Sequence, residues 1–95
     1  MGSLQTFQDL IVWQKAHQLV LFVYEISEKY PRYEIFGLTS QTRRCAVSVP
    51  SNIAEGFKRK SNNDSLHFYN MAETSLEELK YDLILAKDLH YISQD

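Results

Sequence analysis

The sequence has few of the residues that break or cross-link a chain. Its single cysteine, Cys45, leaves no intramolecular disulfide available, and a lone thiol fits a reducing compartment. Three glycines and two prolines are too few for a many-turned β protein and favour long uninterrupted elements. No run of about 18 apolar residues occurs, which excludes a membrane-spanning helix. Met1-Gly2-Ser3-Leu4 has no basic segment leading into an apolar core, so no secretion signal is visible. The expected location is therefore the cytoplasm. Reactive motifs are missing as well: the chain has no Gly-rich phosphate loop, no Cys-x-x-Cys and no Glu-x-x-His. His17, His67 and His90 stand apart, outside any catalytic string. Cys45 falls on an apolar helix face and reads as a small hydrophobe rather than a nucleophile. Glu73 and Glu77, four residues apart, read as a solvated acidic face rather than a metal site. We expect no enzyme, no cofactor, no metal and no small-molecule substrate.

What the chain does have is apolar, periodic and unevenly charged. Hydrophobic residues make up 44% and aromatics 13% of its 95 positions, values that build a core rather than a disordered tail. Residues 1–95 form one domain of the usual small size. Residues 1–31 carry a net charge of −1, residues 32–60 carry +4 and residues 61–95 carry −5. An asymmetry of this kind can direct a protein to polyanions or to its own copies.

Three helices are predicted, over about 8–30, 39–55 and 62–91. In the first, Val12, Ala16, Leu19, Val23, Ile26 and Tyr30 recur every three or four residues, with Thr6 a candidate N-cap and Pro31 just past the end. Leu21, Phe22 and Tyr24 widen the stripe, so more than one neighbour is expected to cover it. The second begins near Thr39 or Ser40, buries Leu38, Thr42, Cys45, Val49 and Ile53, and is expected to end with Gly56 as a left-handed cap. Pro50 lies inside it and predicts a kink rather than a break. Ser61 and Asp64 make a capping pair for the third helix, whose seam of Tyr69, Ala72, Leu76, Leu79, Leu83 and Ala86 is the clearest period in the chain. Three helices with short connectors predict an all-α antiparallel bundle. Apolar faces this wide leave surface exposed, which self-association or a missing fourth helix would cover.

The second helix carries the two candidate sites. At about 100° per residue, Gln41, Arg44, Ser48, Ser51, Asn52 and Glu55 share one arc, beside a small-residue arc of Val47, Pro50 and Ala54. Short hydrogen-bonding groups where Lys and Glu would be usual suit a packed polar subunit contact, although an ordinary wet face is the competing reading. The second candidate is basic: Arg43, Arg44, Lys58, Arg59 and Lys60 could hold phosphates of RNA or DNA. Phe57 beside the basic turn could stack on a base or staple the loop to the core.

Three strings carry a family resemblance: Leu10-Ile11-Val12-Trp13-Gln14-Lys15-Ala16, Phe36-Gly37-Leu38-Thr39-Ser40-Gln41, and the long run from Arg43-Arg44-Cys45-Ala46-Val47-Ser48 to Asn52-Ile53-Ala54-Glu55-Gly56. With Leu85-Ala86-Lys87-Asp88-Leu89 near the end, the chain resembles the four-helix-bundle family named for proteins encoded in intervening sequences of bacterial 23S ribosomal RNA genes. The resemblance implies a non-enzymatic cytoplasmic bundle that assembles as a homo-oligomer, a ring of five, and works as a binding or scaffold protein. Some relatives are accessory proteins of diversity-generating retroelements that bind nucleic acid and a reverse transcriptase. Those relatives are strongly basic, whereas the sequence pI here is about 5.9. The family's fourth helix would follow Tyr91-Ile92, so it is expected to be short or absent before Asp95.

Overall fold

A computed structural model describes residues 4–93 and holds three helices: α1 (Ile11–Ser27), α2 (Leu38–Lys58) and α3 (Asn62–Asp88). Short 3-10 turns at Phe7–Asp9 and Arg32–Glu34 precede the first two, and no strand occurs among the described residues. The expected all-α antiparallel bundle is present, with no fourth helix among the described residues. Its length of 46 Å is close to the roughly 40 Å that the 27 residues of α3 span at 1.5 Å per residue.

The helix ends differ from the sequence reading, each for a local reason. Thr6 caps the 3-10 turn instead of α1. Its hydroxyl accepts from Gln8 N at 3.2 Å, and Asp9 Oδ2 accepts from Gln5 N at 2.8 Å and Thr6 N at 3.0 Å. That closed turn leaves Leu10 extended, and α1 starts at Ile11. At the other end, Lys29 N and Tyr30 N donate to Ile26 and Ser27 carbonyls in tighter turns, so Tyr30 lies beyond α1. The start of α2 is held by Glu34 rather than by Thr39 or Ser40, its Oε1 accepting from Leu38 N at 2.9 Å.

Gly56 is also not a left-handed cap. It lies within α2 without a positive φ. A Cβ there would come within 2.4 Å of Tyr69 Cε1, so the position needs glycine for space. The helix runs unbroken through Pro50, which is buried. At α3 the reading holds: Ser61 Oγ accepts from Asp64 N at 3.1 Å. The helix closes with His90 in the left-handed region (φ 65°), Tyr91 N donating to Ala86 O and His90 N to Lys87 O, a Schellman motif.

The antiparallel order follows from the pairings. Residues early in α2 meet the ends of α1 and α3, whereas Val49 and Ile53 meet Ala16 and Ala72. Both α1 and α3 therefore run antiparallel to α2 and parallel to each other. The core forms three layers, centred on Ala16, Val49, Ile53 and Ala72, then Val23, Ala46 and Leu79, then Tyr30, Leu38 and Ala86. Alanine in each layer lets the axes approach closely, and the larger side chains fill the space between.

Candidate interaction surfaces

The polar stripe of α2 divides. Its inner part is used within the chain: Gln41 Nε2 donates to Asp82 Oδ1 at 2.8 Å, and Ser75 Oγ meets Ser48 Oγ at 2.8 Å. Asn52, the one of the three inner residues that is buried, donates through Nδ2 to Ser48 O and Ser48 Oγ, both at 2.9 Å. Gln41, Ser48 and Asn52 thus form a polar seam against α3. The outer part, Arg44, Ser51 and Glu55, remains exposed beside Val47. The periodicity places all six on one arc, but that arc straddles the edge of the α2–α3 contact.

The basic residues divide as well. Arg43 is occupied by α1: its guanidinium lies 4.6 Å from the Tyr24 ring centre, Nε donates to Ser27 Oγ at 2.8 Å, and Nη2 donates to Tyr24 O at 3.4 Å. Arg44 is exposed and donates to Ser40 Oγ at 3.2 Å. Lys58, Arg59 and Lys60 sit about 21 Å further along α2, fourteen residues at 1.5 Å each. There Arg59 pairs with Glu55 at 2.7 Å and lies 4.4 Å from the Phe68 ring centre, while Lys58 and Lys60 are exposed. The structure separates the five cations into two groups, Arg43 and Arg44 in the first half of α2 and Lys58, Arg59 and Lys60 at and just beyond its C-terminus, not in one pocket. Phe57 is half-buried.

Two concave surfaces stand out, and the sequence reading named neither as such. The first is a furrow between α1 and α3. One end, of about 380 Å³, is walled by Leu10 and Val12 on one side and Tyr69 and Leu76 on the other, with Val49 and Ile53 of α2 as its floor. Further along, Phe22 and Ile26 face Leu83, Ile84 and Ile92. The α3 seam explains the furrow. Ala72, Leu79 and Ala86 are buried, while Leu76 and Leu83 are only half covered and Tyr69 is exposed. The sequence signal for this furrow was therefore present in the width of the stripe.

The second surface, of about 540 Å³, lies between α1 and α2. Exposed Tyr24, Ile35 and Val47 supply its apolar lining, and Arg43 and Arg44 supply its charge. Ile35 enters from the connector, where no helical period could have marked it.

The remaining reactive groups are quiet or scattered. Burial, reinforced by the neighbouring Asp82, pushes the Cys45 thiol up to about 11, so it stays protonated at neutral pH. His17 stacks on Trp13 and His67 lies edge-on to Phe68. Among the described residues no three His, Cys, Asp or Glu side chains gather as metal ligands, and no helix is long and apolar enough to cross a membrane. Asp82 is the one buried carboxylate in the seam. Its Oδ2, with Thr42 Oγ1 and the Tyr30 hydroxyl, is buried without a hydrogen-bond partner.

Two parallel helices packed on a third, with an apolar furrow left open between them, define an antiparallel bundle of the four-helix type with no fourth helix among the described residues. The chain belongs to the 23S rRNA-intervening sequence protein family, whose model matches residues 8–95. No curated protein matches the chain.

Proposed function

We propose that this protein is a non-enzymatic, oligomeric binding or scaffold protein that uses neither cofactor nor small-molecule substrate. The observation that carries this reading is apolar surface left open in a single copy. The α1–α3 furrow is lined almost wholly by aliphatic and aromatic side chains, and Val12, Phe22, Tyr69 and Ile84 are each more than a third exposed. Contiguous apolar surface of this kind marks an interface. A furrow between parallel helices over a third helix accepts an antiparallel helix with an apolar stripe. Further copies of the chain supply the cover. Light scattering at micromolar concentration tests the proposal. A single species heavier than one chain is expected, and a well-behaved monomer would refute it.

A second reading, nucleic-acid binding, rests on the turn between α2 and α3, where exposed Lys58 and Lys60 flank Arg59 stacked on Phe68. Each neutralised phosphate would add to a salt-dependent affinity. RNA and DNA binding titrated against salt, with and without Lys58→Ala, Arg59→Ala and Lys60→Ala together, tests it. Affinity indifferent to salt or to the substitutions would end that reading.

A further inference from the structure

We propose that one internal water molecule is built into this bundle, bound between its second and third core layers by the Asp82 carboxylate, the Thr42 hydroxyl and the Tyr30 hydroxyl. The inference is independent of what the outer surfaces bind.

The core pattern sets the place. On α2, Thr42 stands four residues from both Leu38 and Ala46; on α3, Asp82 follows Leu79 by three and precedes Ala86 by four. Both therefore share the buried face of those apolar neighbours, one turn from each layer. Tyr30 packs in the third layer with Leu38 and Ala86. Asp82 is 1%, Thr42 0% and Tyr30 6% exposed, so all three lie behind the surface. The adjoining Ala46 and Ala86 are fully buried and carry only a methyl group, which leaves space that a larger core residue would fill.

Three oxygens here lack partners. Gln41 Nε2 donates to Asp82 Oδ1 at 2.8 Å, whereas Oδ2 receives no donor. Thr42 Oγ1 and the Tyr30 hydroxyl are unpartnered too, so no direct hydrogen bond joins the set. They are nonetheless neighbours. Burial pushes the Tyr30 hydroxyl above its ordinary 10.0, the Thr42 hydroxyl opposes that shift, and the Asp82 charge adds to it. Polar groups that face one another without bonding directly are joined by a water between them. An internal water makes about three hydrogen bonds to otherwise unsatisfied groups, and this set supplies that many. The water donates to Asp82 Oδ2 and to Thr42 Oγ1 and accepts from the Tyr30 hydroxyl.

Other occupants fit less well. Arg43 is engaged by Ser27 and Tyr24, and Arg44 is exposed beside Ser40, so neither side chain is turned to Asp82. A divalent cation takes about six or more oxygens, whereas this set offers one carboxylate and two neutral hydroxyls. The bound water also gives the polar residues a purpose. Sliding α3 one turn along α2 would set Leu79 or Ala86 opposite Thr42 and leave the Asp82 carboxylate in an apolar layer, so the node holds the helix register.

The sign of two stability changes tests this. Were the hydroxyls unbonded, Thr42→Val and Tyr30→Phe would each delete an unpaired buried group and raise stability. With the water in place, each substitution breaks a shared network and should lower the folding equilibrium constant by about 5- to 150-fold in urea unfolding at one protein concentration. The pair together should cost less than the product of the two, because the first already loosens the common water. A gain in stability from either substitution overturns the proposal. A crystal structure of the wild type, at a resolution that orders internal water, checks it without any variant. A water oxygen about 2.5–3.2 Å from all three atoms is expected. The three side chains bonded directly to one another, or no density between them, would refute the site.

Discussion

Replacing Gly56 with alanine sets two effects of known sign against each other. Inside a helix alanine is favoured over glycine by about 1 kcal/mol. Against that, the new methyl carbon would lie 2.4, 2.7 and 3.0 Å from three atoms of the Tyr69 ring. Ordinary carbon contacts are roughly 3.5–4.0 Å, so the ring must move by about an ångström or more. Overpacking of this size costs about 1–3 kcal/mol, and a net destabilisation of about 1 kcal/mol is expected for Gly56→Ala. In a Tyr69→Ala background the obstacle is gone, and the same change should stabilise by about 1 kcal/mol. Urea unfolding followed by circular dichroism, at one protein concentration, reads all four corners of the cycle. The corresponding shift in Tm is about 4–8 °C per kcal/mol for a domain of this size. Destabilisation of equal size in both backgrounds would mean that backbone conformation sets the glycine. Stabilisation in both would mean that the ring does not crowd it.

Three further outcomes follow. His90→Gly removes a left-handed non-glycine residue from the end of α3 and should raise stability by up to about 1 kcal/mol in the same urea assay; a loss would show that the imidazole makes a contact worth more than the strain. Arg43→Ala strips the clamp between α1 and α2 and should lower stability by about 1–3 kcal/mol, whereas an unchanged unfolding midpoint would contradict its inward role. In acid, the Leu38 amide first and the Tyr91 hydroxyl second hold the Glu34 carboxyl below its ordinary 4.5, and the Thr6 and Gln5 amides do the same for Asp9 below 3.8. Both groups therefore contribute stability that is present above those ordinary values and is lost as pH falls through the depressed ones. Tm should drop below about pH 4.5, and Glu34→Gln should flatten that drop; an identical acid profile in the variant would refute the cap.

Much of the fold was legible because its signals are local. The Ser61 cap and the buried members of the α3 seam, Ala72, Leu79 and Ala86, depend on spacing alone and appear where spacing put them, whereas Tyr69 at the head of the seam and Val12 in the α1 stripe are exposed. Gly56 was legible as a glycine with a purpose but not as which one, since a left-handed cap and a close approach call for the same residue. The start of α1 was missed because Thr6 and Asp9 close on each other over three residues, a choice between two short turns that periodicity does not resolve.

The candidate surfaces divide in the same way. A helical wheel shows that Gln41, Ser48 and Asn52 are polar and share an arc. It cannot show that Asp82 and Ser75, more than twenty residues away, will stand opposite them. Arg43 and Arg44 are neighbours in sequence, yet one turns toward α1 and the other toward solvent, which only the packing of α1 decides. The furrow lay hidden in a seam whose half-covered members, Leu76 and Leu83, read as ordinary core until the distance between α1 and α3 was known.

The most direct measurement is native mass spectrometry of the protein isolated from its own host, where cognate partners are present. On the proposed oligomeric reading, the protein should appear as a multiple of the chain mass, alone or with a second protein attached. A population made up of single, unaccompanied chains would contradict the account.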